Sequence, residues 1–238
     1  MRFSFTLVIS LILFCSGLSM AQAAKVNQRD GAAAKVTPTE QTATHSATYS
    51  YEFKQPVFFI SRVFIETDAE GHGKVTWERK DADEALTDPF DFSPNAWARV
   101  RGLWEQLNFL ESGENYQAER QYPHLGVMWL RLKAGANERT AEFNWTSNKT
   151  VEALINEYRH AADQAQFVFD ITLARENQPL NTPKIMETLE TLYNRRGLSD
   201  PQQLAPFLRE LSTDERLPLM ARNRAVKILA ALEKEKKP

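Results

Sequence analysis

The sequence is short of cysteine and glycine, and it lacks the short motifs that mark several common enzyme classes. Cys15 is the single cysteine in 238 residues, so the chain contains no C-x-x-C redox pair and cannot form a disulfide within itself. Only nine glycines are present, and they form neither a G-x-S-x-G elbow nor a glycine-rich phosphate loop. We therefore assign no catalytic residue and expect no cofactor.

A metal site is also poorly supported. The four histidines share neither H-x-x-H nor H-E-x-x-H spacing: His45, His72, His124 and His160. Residues 66–71 resemble the start of a calcium loop, but Trp77 stands where such a loop needs a bidentate glutamate. We expect no metal and interpret residues 66–73 as a charged turn between two strands.

The charge is nearly balanced, with 29 Lys and Arg against 31 Asp and Glu and a net charge of -2. A nucleic-acid partner usually needs a basic surface, so this composition does not favour one. The partners that remain open are a protein or a ligand of the cell envelope. The oligomeric state is left open by the sequence.

Residues 1–23 have the pattern of a secretory signal peptide. Arg2 precedes an apolar run over residues 3–18, and the segment ends in Ala21-Gln22-Ala23, a small-residue cleavage pattern. The alternative is an uncleaved anchor helix, but this run is shorter than the roughly 20 residues that span a bilayer. We expect export to the periplasm or the outside of the cell, with no membrane span after cleavage. Residues 24–46, rich in Ala, Thr and Gln, predict a disordered tether.

Residues 47–178 alternate between strand and helix patterns. Period-two alternation predicts five strands, at residues 49–53, 57–65, 74–80, 126–133 and 139–145. The first is expected at a sheet edge because Pro56 follows it, the second can be covered on both faces, and residues 86–92 are expected to be a connector. Ser93-Pro94 is expected to begin one helix. Ser147 or Asn148 is expected to cap a second of nearly thirty residues, with a break near Gln166 as the alternative.

This order gives two ββα passes and predicts an α+β domain with an antiparallel sheet covered on one face by helices. The domain resembles small exported α+β domains of bacteria. That resemblance brings no catalytic residue with it.

Residues 179–238 predict a helical C-terminal segment of three short helices. They are expected to begin at Thr182-Pro183, Asp200-Pro201 and Thr213-Asp214. The last two resemble a single HEAT-type helical repeat on these positions: Leu204, Phe207, Leu208, Leu211, Asp214, Arg222, Ala225, Ile228 and Leu229. Because one repeat cannot bury its own apolar face, we expect a cap that folds onto the α+β domain, with a partner-binding solenoid as the alternative.

One loop carries the candidate binding residues: Tyr116, Arg120, Tyr122 and His124. Rings and hydrogen-bond donors ahead of a core strand can line a pocket or a partner surface. The plainer alternative is that Tyr122-Pro123-His124 only turns the chain. The sequence thus favours a non-enzymatic binding or interaction domain. The second hypothesis is a hydrolase or transferase in which an acid such as Glu119 orients His124 near Tyr122.

Overall fold

The computed structural model describes residues 47–235, which lie within one compact unit. The predicted signal peptide and tether lie outside the described residues. Six strands are present: β1 (Ala47–Lys54), β2 (Ile60–Thr67), β3 (His72–Arg79), β4 (Leu86–Asp91), β5 (Val127–Ala134) and β6 (Asn137–Phe143). Five α-helices accompany them: α1 (Pro94–Gln106), α2 (Lys149–Asn177), α3 (Thr182–Asn194), α4 (Ala205–Thr213) and α5 (Leu219–Glu235).

The strands form one antiparallel sheet in the order β4-β3-β2-β1-β5-β6. The predicted α+β architecture is confirmed, and four strands precede α1 where three were predicted, the additional strand being β4. The edge position expected for β1 is wrong, because β1 pairs with both β2 and β5. Pro56 lies beyond Lys54, the last residue of β1, and so interrupts no ladder.

Two segments differ from their predicted structure. Residues 86–91 were expected to connect two elements, but they form β4, which pairs with β3 at the sheet edge. Proline is tolerated at an edge, and Pro89 lies there. The last helix begins at Leu219, not near Asp214, because residues 214–217 form a turn closed by a hydrogen bond from the Leu217 amide to the Asp214 carbonyl.

The predicted Ser93 cap of α1 is confirmed, and of the two residues proposed to cap α2 it is Asn148, not Ser147, that does so. The Ser93 hydroxyl accepts a hydrogen bond of 3.2 Å from the amide of Ala96. The Asn148 side chain accepts bonds from the amides of Thr150 and Val151, at 3.0 and 3.1 Å. Each cap satisfies amides that have no partner within their own helix. Helix α2 then runs unbroken for 29 residues.

Helices α1 and α2 cover one face of the sheet. The indole of Trp104 in α1 donates a 3.1 Å hydrogen bond to the hydroxyl of Tyr158 in α2. Tyr158 in turn stacks on Tyr51 of β1 with ring centroids 5.2 Å apart. These contacts tie both helices to the middle of the sheet. None of the helices within residues 47–235 is both long and apolar enough to cross a bilayer.

The C-terminal half of α2 belongs to a second apolar cluster, shared with the helices that follow. Phe167 and Ile171 of α2 are buried there against side chains of α3, α4 and α5. At the end of α4, the Asp214 carboxylate accepts hydrogen bonds of 3.1 and 2.9 Å from Arg175 of α2. Arg216 donates to the same carboxylate, and together with Arg175 it lowers the pKa of the Asp214 carboxyl.

Replacing Asp214 by alanine should lower the free energy of unfolding at pH 7 by about 1.5–3 kcal/mol, the usual contribution of hydrogen bonds to charged groups. The folded chain lowers this pKa, so the contribution is complete above the ordinary value of 3.8 and declines as the pH falls below it. Urea denaturation should therefore show a smaller difference between the two proteins at pH 3 than at pH 7.

The control is Asp81→Ala, because Asp81 makes only one exposed contact with Arg79, at 3.4 Å. Surface pairs of that kind contribute little, so this variant should behave like the parent protein. The same loss at pH 3 and pH 7 for Asp214→Ala would contradict the proposed role of its charge.

Candidate ligand-binding groove

A groove with a volume of about 530 Å³ lies between the sheet and α2. Its residues come from β1, β2, β5, α2 and the loops that precede β2, β5 and α2. The volume falls within the range of roughly 300–1,000 Å³ that is typical of small-molecule sites.

The sheet side of the groove is apolar. Its wall consists of Phe53, Ile60, Val63 and Met128, with Tyr51 deeper in the groove. Strict alternation had placed Ile60 and Val63 on opposite faces of β2, which is wrong. The pairing of β2 with β3 shifts between Ile60 and Arg62, so this irregularity brings both aliphatic side chains to the groove face.

Exposed apolar side chains stand at one end of the groove. Residues 57–59 were predicted to begin β2, but they lie in the turn before it, with Val57, Phe58 and Phe59 exposed to 70%, 44% and 54%. Phe58 lines the groove together with Leu125 and Trp145. Large apolar groups that meet solvent beside a cavity often mark an interaction site.

The turn that carries Leu125 is held in place by β1 and its following loop. The side-chain amide of buried Gln55 donates through its Nε2 atom to the backbone carbonyls of Pro123 and His124, at 3.2 and 2.8 Å. Gly126 ends this turn with φ 91°, a conformation that favours glycine. A β-carbon at Gly126 would lie 2.8 Å from the Lys54 carbonyl oxygen. The close approach of this turn to the end of β1 therefore depends on glycine.

The helix side of the groove is polar. Beside Ile155 and Ala162, five polar residues of α2 line it at spacings of three and four: Glu152, Asn156, Arg159, Asp163 and Gln166. That spacing places them along one side of the helix, over a length of about 21 Å. Although the Asp163 side chain still reaches solvent, desolvation raises the pKa of its carboxyl, and the charges of His160 and Arg159 oppose this rise.

Tyr51 brings a buried polar atom to the same groove. The residue is only 1% exposed, and its hydroxyl has no hydrogen-bond partner among residues 47–235. Burial raises the pKa of the Tyr51 hydroxyl, while the nearby positive charge of Arg159 opposes the rise. The Arg159 guanidinium is close enough to act on this hydroxyl but lies outside the distance and angle limits of a hydrogen bond. Buried hydroxyls are normally paired, so this one can still bond to a further group in the groove.

No known protein family and no curated protein matches this chain. The chemistry of the groove must therefore be argued from its own residues. Within the described part of the chain, no three His, Cys, Asp or Glu side chains lie close enough together to hold a metal ion. The predicted charged turn before β3 is formed by Asp68, whose carboxylate accepts hydrogen bonds from the amides of Glu70 and His72.

The four predicted site residues do not form one cluster. Tyr116 is 3% exposed and stacks on Phe109, while the Arg139 guanidinium lies 5.1 Å from the Tyr116 ring centre. Tyr116 therefore serves the core, and we do not include it in the groove. Arg120 is exposed, and its guanidinium lies 5.5 Å from the Tyr122 ring.

Tyr122 and His124 lie nearer the groove. The Tyr122 ring meets that of Trp145 edge to face at 5.2 Å, and His124 directly precedes Leu125. Both residues therefore adjoin side chains of the groove without lining it themselves.

Sequence reasoning missed Tyr51, Arg159 and Asp163. Tyr51 was predicted only as part of a strand, and the two charged residues flank the apolar stripe of α2. A polar row beside such a stripe is the ordinary pattern of a helix that meets water, so it carried no separate signal. Trp145 was assigned to the alternation of β6, whereas the strand ends at Phe143 and leaves the indole 45% exposed.

Proposed function

We propose that this protein is a non-enzymatic binding domain of the cell envelope that holds a small, largely apolar ligand in the groove between the sheet and α2. Export rests on the signal-peptide pattern of residues 1–23, and the periplasm or the outside of the cell is the proposed location. The observation that carries the proposal is the pairing of an apolar wall with the buried hydroxyl of Tyr51, which has no hydrogen-bond partner in the described part of the chain.

Small-molecule sites commonly combine apolar walls with a few well-placed polar groups, and this groove has that composition. Its exposed apolar rim supports the same proposal. Folding normally covers side chains such as Phe58 and Trp145, and their exposure beside a cavity leaves apolar area that a ligand can bury. Burial of that area on binding would supply favourable free energy.

The hydrolase or transferase alternative receives less support. A histidine that acts as a base is usually oriented by a second group, commonly a carboxylate. Across residues 47–235, no carboxylate oxygen lies within 4.0 Å of a His124 ring nitrogen. Tyr122 is near, with its ring centre 6.0 Å from that of His124, but a phenol does not supply the missing acid.

The helical segment has a proposed supporting role. Helices α3 to α5 bury Phe167 and Ile171 of α2, so we assign them the task of stabilising the helix whose other half lines the groove. This proposal keeps the cap that the sequence predicts for a single HEAT-like pair. A partner-binding role for the segment remains the alternative.

Replacing Trp145 by alanine should weaken the binding of N-phenyl-1-naphthylamine, a neutral probe whose fluorescence rises in apolar surroundings. Loss of the indole removes part of the apolar rim, and a loss of about 1 kcal/mol corresponds to an affinity about fivefold lower. Fluorescence titration of the purified parent protein and the variant measures both dissociation constants.

Leu180→Ala is the matched control, because Leu180 is 85% exposed and does not line the groove. It should leave probe binding unchanged. Failure of the parent protein to bind the probe would remove the proposed function. Equal losses in the two variants would show that the probe binds exposed apolar groups in general.

A further inference from the structure

Arg159 is the one Lys or Arg side chain among residues 47–235 that lines the groove, and within that range its charge has no carboxylate partner. Across residues 47–235, no carboxylate oxygen lies within 4.0 Å of its guanidinium. Its Nη2 atom instead lies 3.4 Å from the sulfur of Met128, a weak acceptor on the apolar wall. A guanidinium in this position can still donate to an anion.

Tyr51 supplies a second donor at the same place. Its ring is buried, and its hydroxyl has no hydrogen-bond partner within residues 47–235. Burial raises the pKa of this hydroxyl, and the nearby charge of Arg159 opposes the rise. An anionic oxygen between these groups would accept from the phenol and from the guanidinium, and charge-assisted bonds of this kind are stronger than neutral ones. The planar guanidinium also suits the two oxygens of a carboxylate or a phosphate.

The two acids that line the groove oppose the binding of an anion at Arg159 less than their formal charges suggest. Glu152 is already paired with Lys149, whose ammonium lies 2.8 Å from its carboxylate. Asp163 lies one turn from Arg159, and its surroundings favour the neutral carboxyl more than water does. Neither acid lies within 4.0 Å of the Arg159 guanidinium.

We infer that the ligand is a single-chain amphiphile with an anionic head group, which Arg159 and Tyr51 hold while the alkyl chain lies along Phe53, Ile60, Val63 and Met128. This inference rests on the proposed function and specifies its ligand class. The polar side of α2 and the apolar side of the sheet meet along the groove, so both parts of such a molecule find matching surfaces.

The test is displacement of N-phenyl-1-naphthylamine by four twelve-carbon amphiphiles that differ only in their head groups. These are dodecanoate, dodecyl phosphate, dodecanol and dodecyltrimethylammonium, each used below the concentration at which it forms micelles. At least one of the two anions should bind about tenfold or more tightly than dodecanol and the cation, as expected for a charge-assisted pair. The comparison of dodecanoate with dodecyl phosphate identifies the preferred head group.

Two variants assign the preference to residues. Arg159→Met should abolish the preference for anionic amphiphiles, because it should weaken their binding about tenfold. The affinity for dodecanol should stay within about twofold of the parent value. Arg131→Met is the matched control, because Arg131 is outside the groove and pairs with Glu138 across neighbouring strands. It should leave the affinities for all four amphiphiles unchanged.

Tyr51→Phe should also weaken anion binding, by about threefold to tenfold, and leave dodecanol unaffected. Its melting temperature should be equal to or above that of the parent protein, because the change removes a buried hydroxyl that has no partner among residues 47–235. A purely structural role would instead lower the melting temperature and weaken all ligands together.

Equal affinities for the four amphiphiles would overturn the head-group assignment and leave the binding function intact. Tighter binding of dodecyltrimethylammonium would also overturn the head-group assignment, because it would indicate that Glu152 and Asp163 hold a cationic head group. If neither the neutral probe nor any amphiphile binds, the proposed function itself fails.

Discussion

Replacing Gly126 by alanine should lower the free energy of unfolding by about 2–4 kcal/mol. The residue has φ 91° and ψ -178°, a region of backbone conformation that is open almost only to glycine. A β-carbon there would also lie 2.7 Å from the Phe53 ring and 2.8 Å from the Lys54 carbonyl oxygen. The Lys54 carbonyl belongs to β1, a central strand, and cannot easily move away.

The same change should weaken ligand binding. Gly126 joins the turn of Leu125 to β5, and Phe53 forms part of the apolar wall. Displacement of either side chain alters the groove, so affinity for the neutral probe should fall together with stability. Urea denaturation and probe titration on the same preparations measure the two effects.

Gly113→Ala is the control for this experiment. A β-carbon at Gly113 would meet no atom within 4 Å, and Gly113 is not among the described residues with positive φ. We expect a change in stability within about 0.5 kcal/mol and unchanged probe binding. If Gly126→Ala were as well tolerated as this control, the turn could adopt another conformation and the proposed constraint would be wrong.

Replacing Trp104 by alanine should cost about 3–5 kcal/mol of unfolding free energy, the usual result of truncating a buried tryptophan. Trp104 is 2% exposed and meets the ring of Phe109 edge to face, at 4.8 Å. Its loss leaves a large cavity between α1 and the sheet and also removes the indole donor that bonds to Tyr158. Chemical denaturation of both proteins measures the difference.

Trp129→Ala is the matched control, because Trp129 lies on the other face of the sheet. Its indole donates to the exposed carboxylate of Glu142 on the neighbouring strand, at 2.9 Å. The loss of this half-buried side chain should cost about 1 kcal/mol, within the range of single cross-strand pairs. Equal costs at the two positions would contradict a sheet that is covered by helices on one face only.

Much of the fold could be predicted because its signals are local. Ser93 caps α1 as predicted, and Asn148, one of the two residues proposed, caps α2. Gly135 has a positive φ in the turn between β5 and β6, and the apolar stripe of α2 that begins at Val151 faces the core. Capping, turn geometry and side-chain periodicity depend on neighbours within a few residues, which the sequence displays directly.

The errors arose where pairing between distant segments decided the outcome. The central position of β1 depends on its pairing with β5, and the irregularity near Ser61 depends on the partner strand β3. The apolar character of residues 57–59 suggested a strand, whereas the chain leaves their side chains exposed beside the groove. Local propensity cannot specify which strand lies alongside another.

The sequence by itself determined the α+β class and the start of α1 at its cap. Only the tertiary structure decided that Tyr51, Arg159 and Met128 share one groove, because they belong to three elements that are distant in the chain. It also decided that Tyr116 lies in the core. The physical reason is that a side chain's neighbours across the fold, and not its neighbours in sequence, determine its burial and its unsatisfied hydrogen bonds.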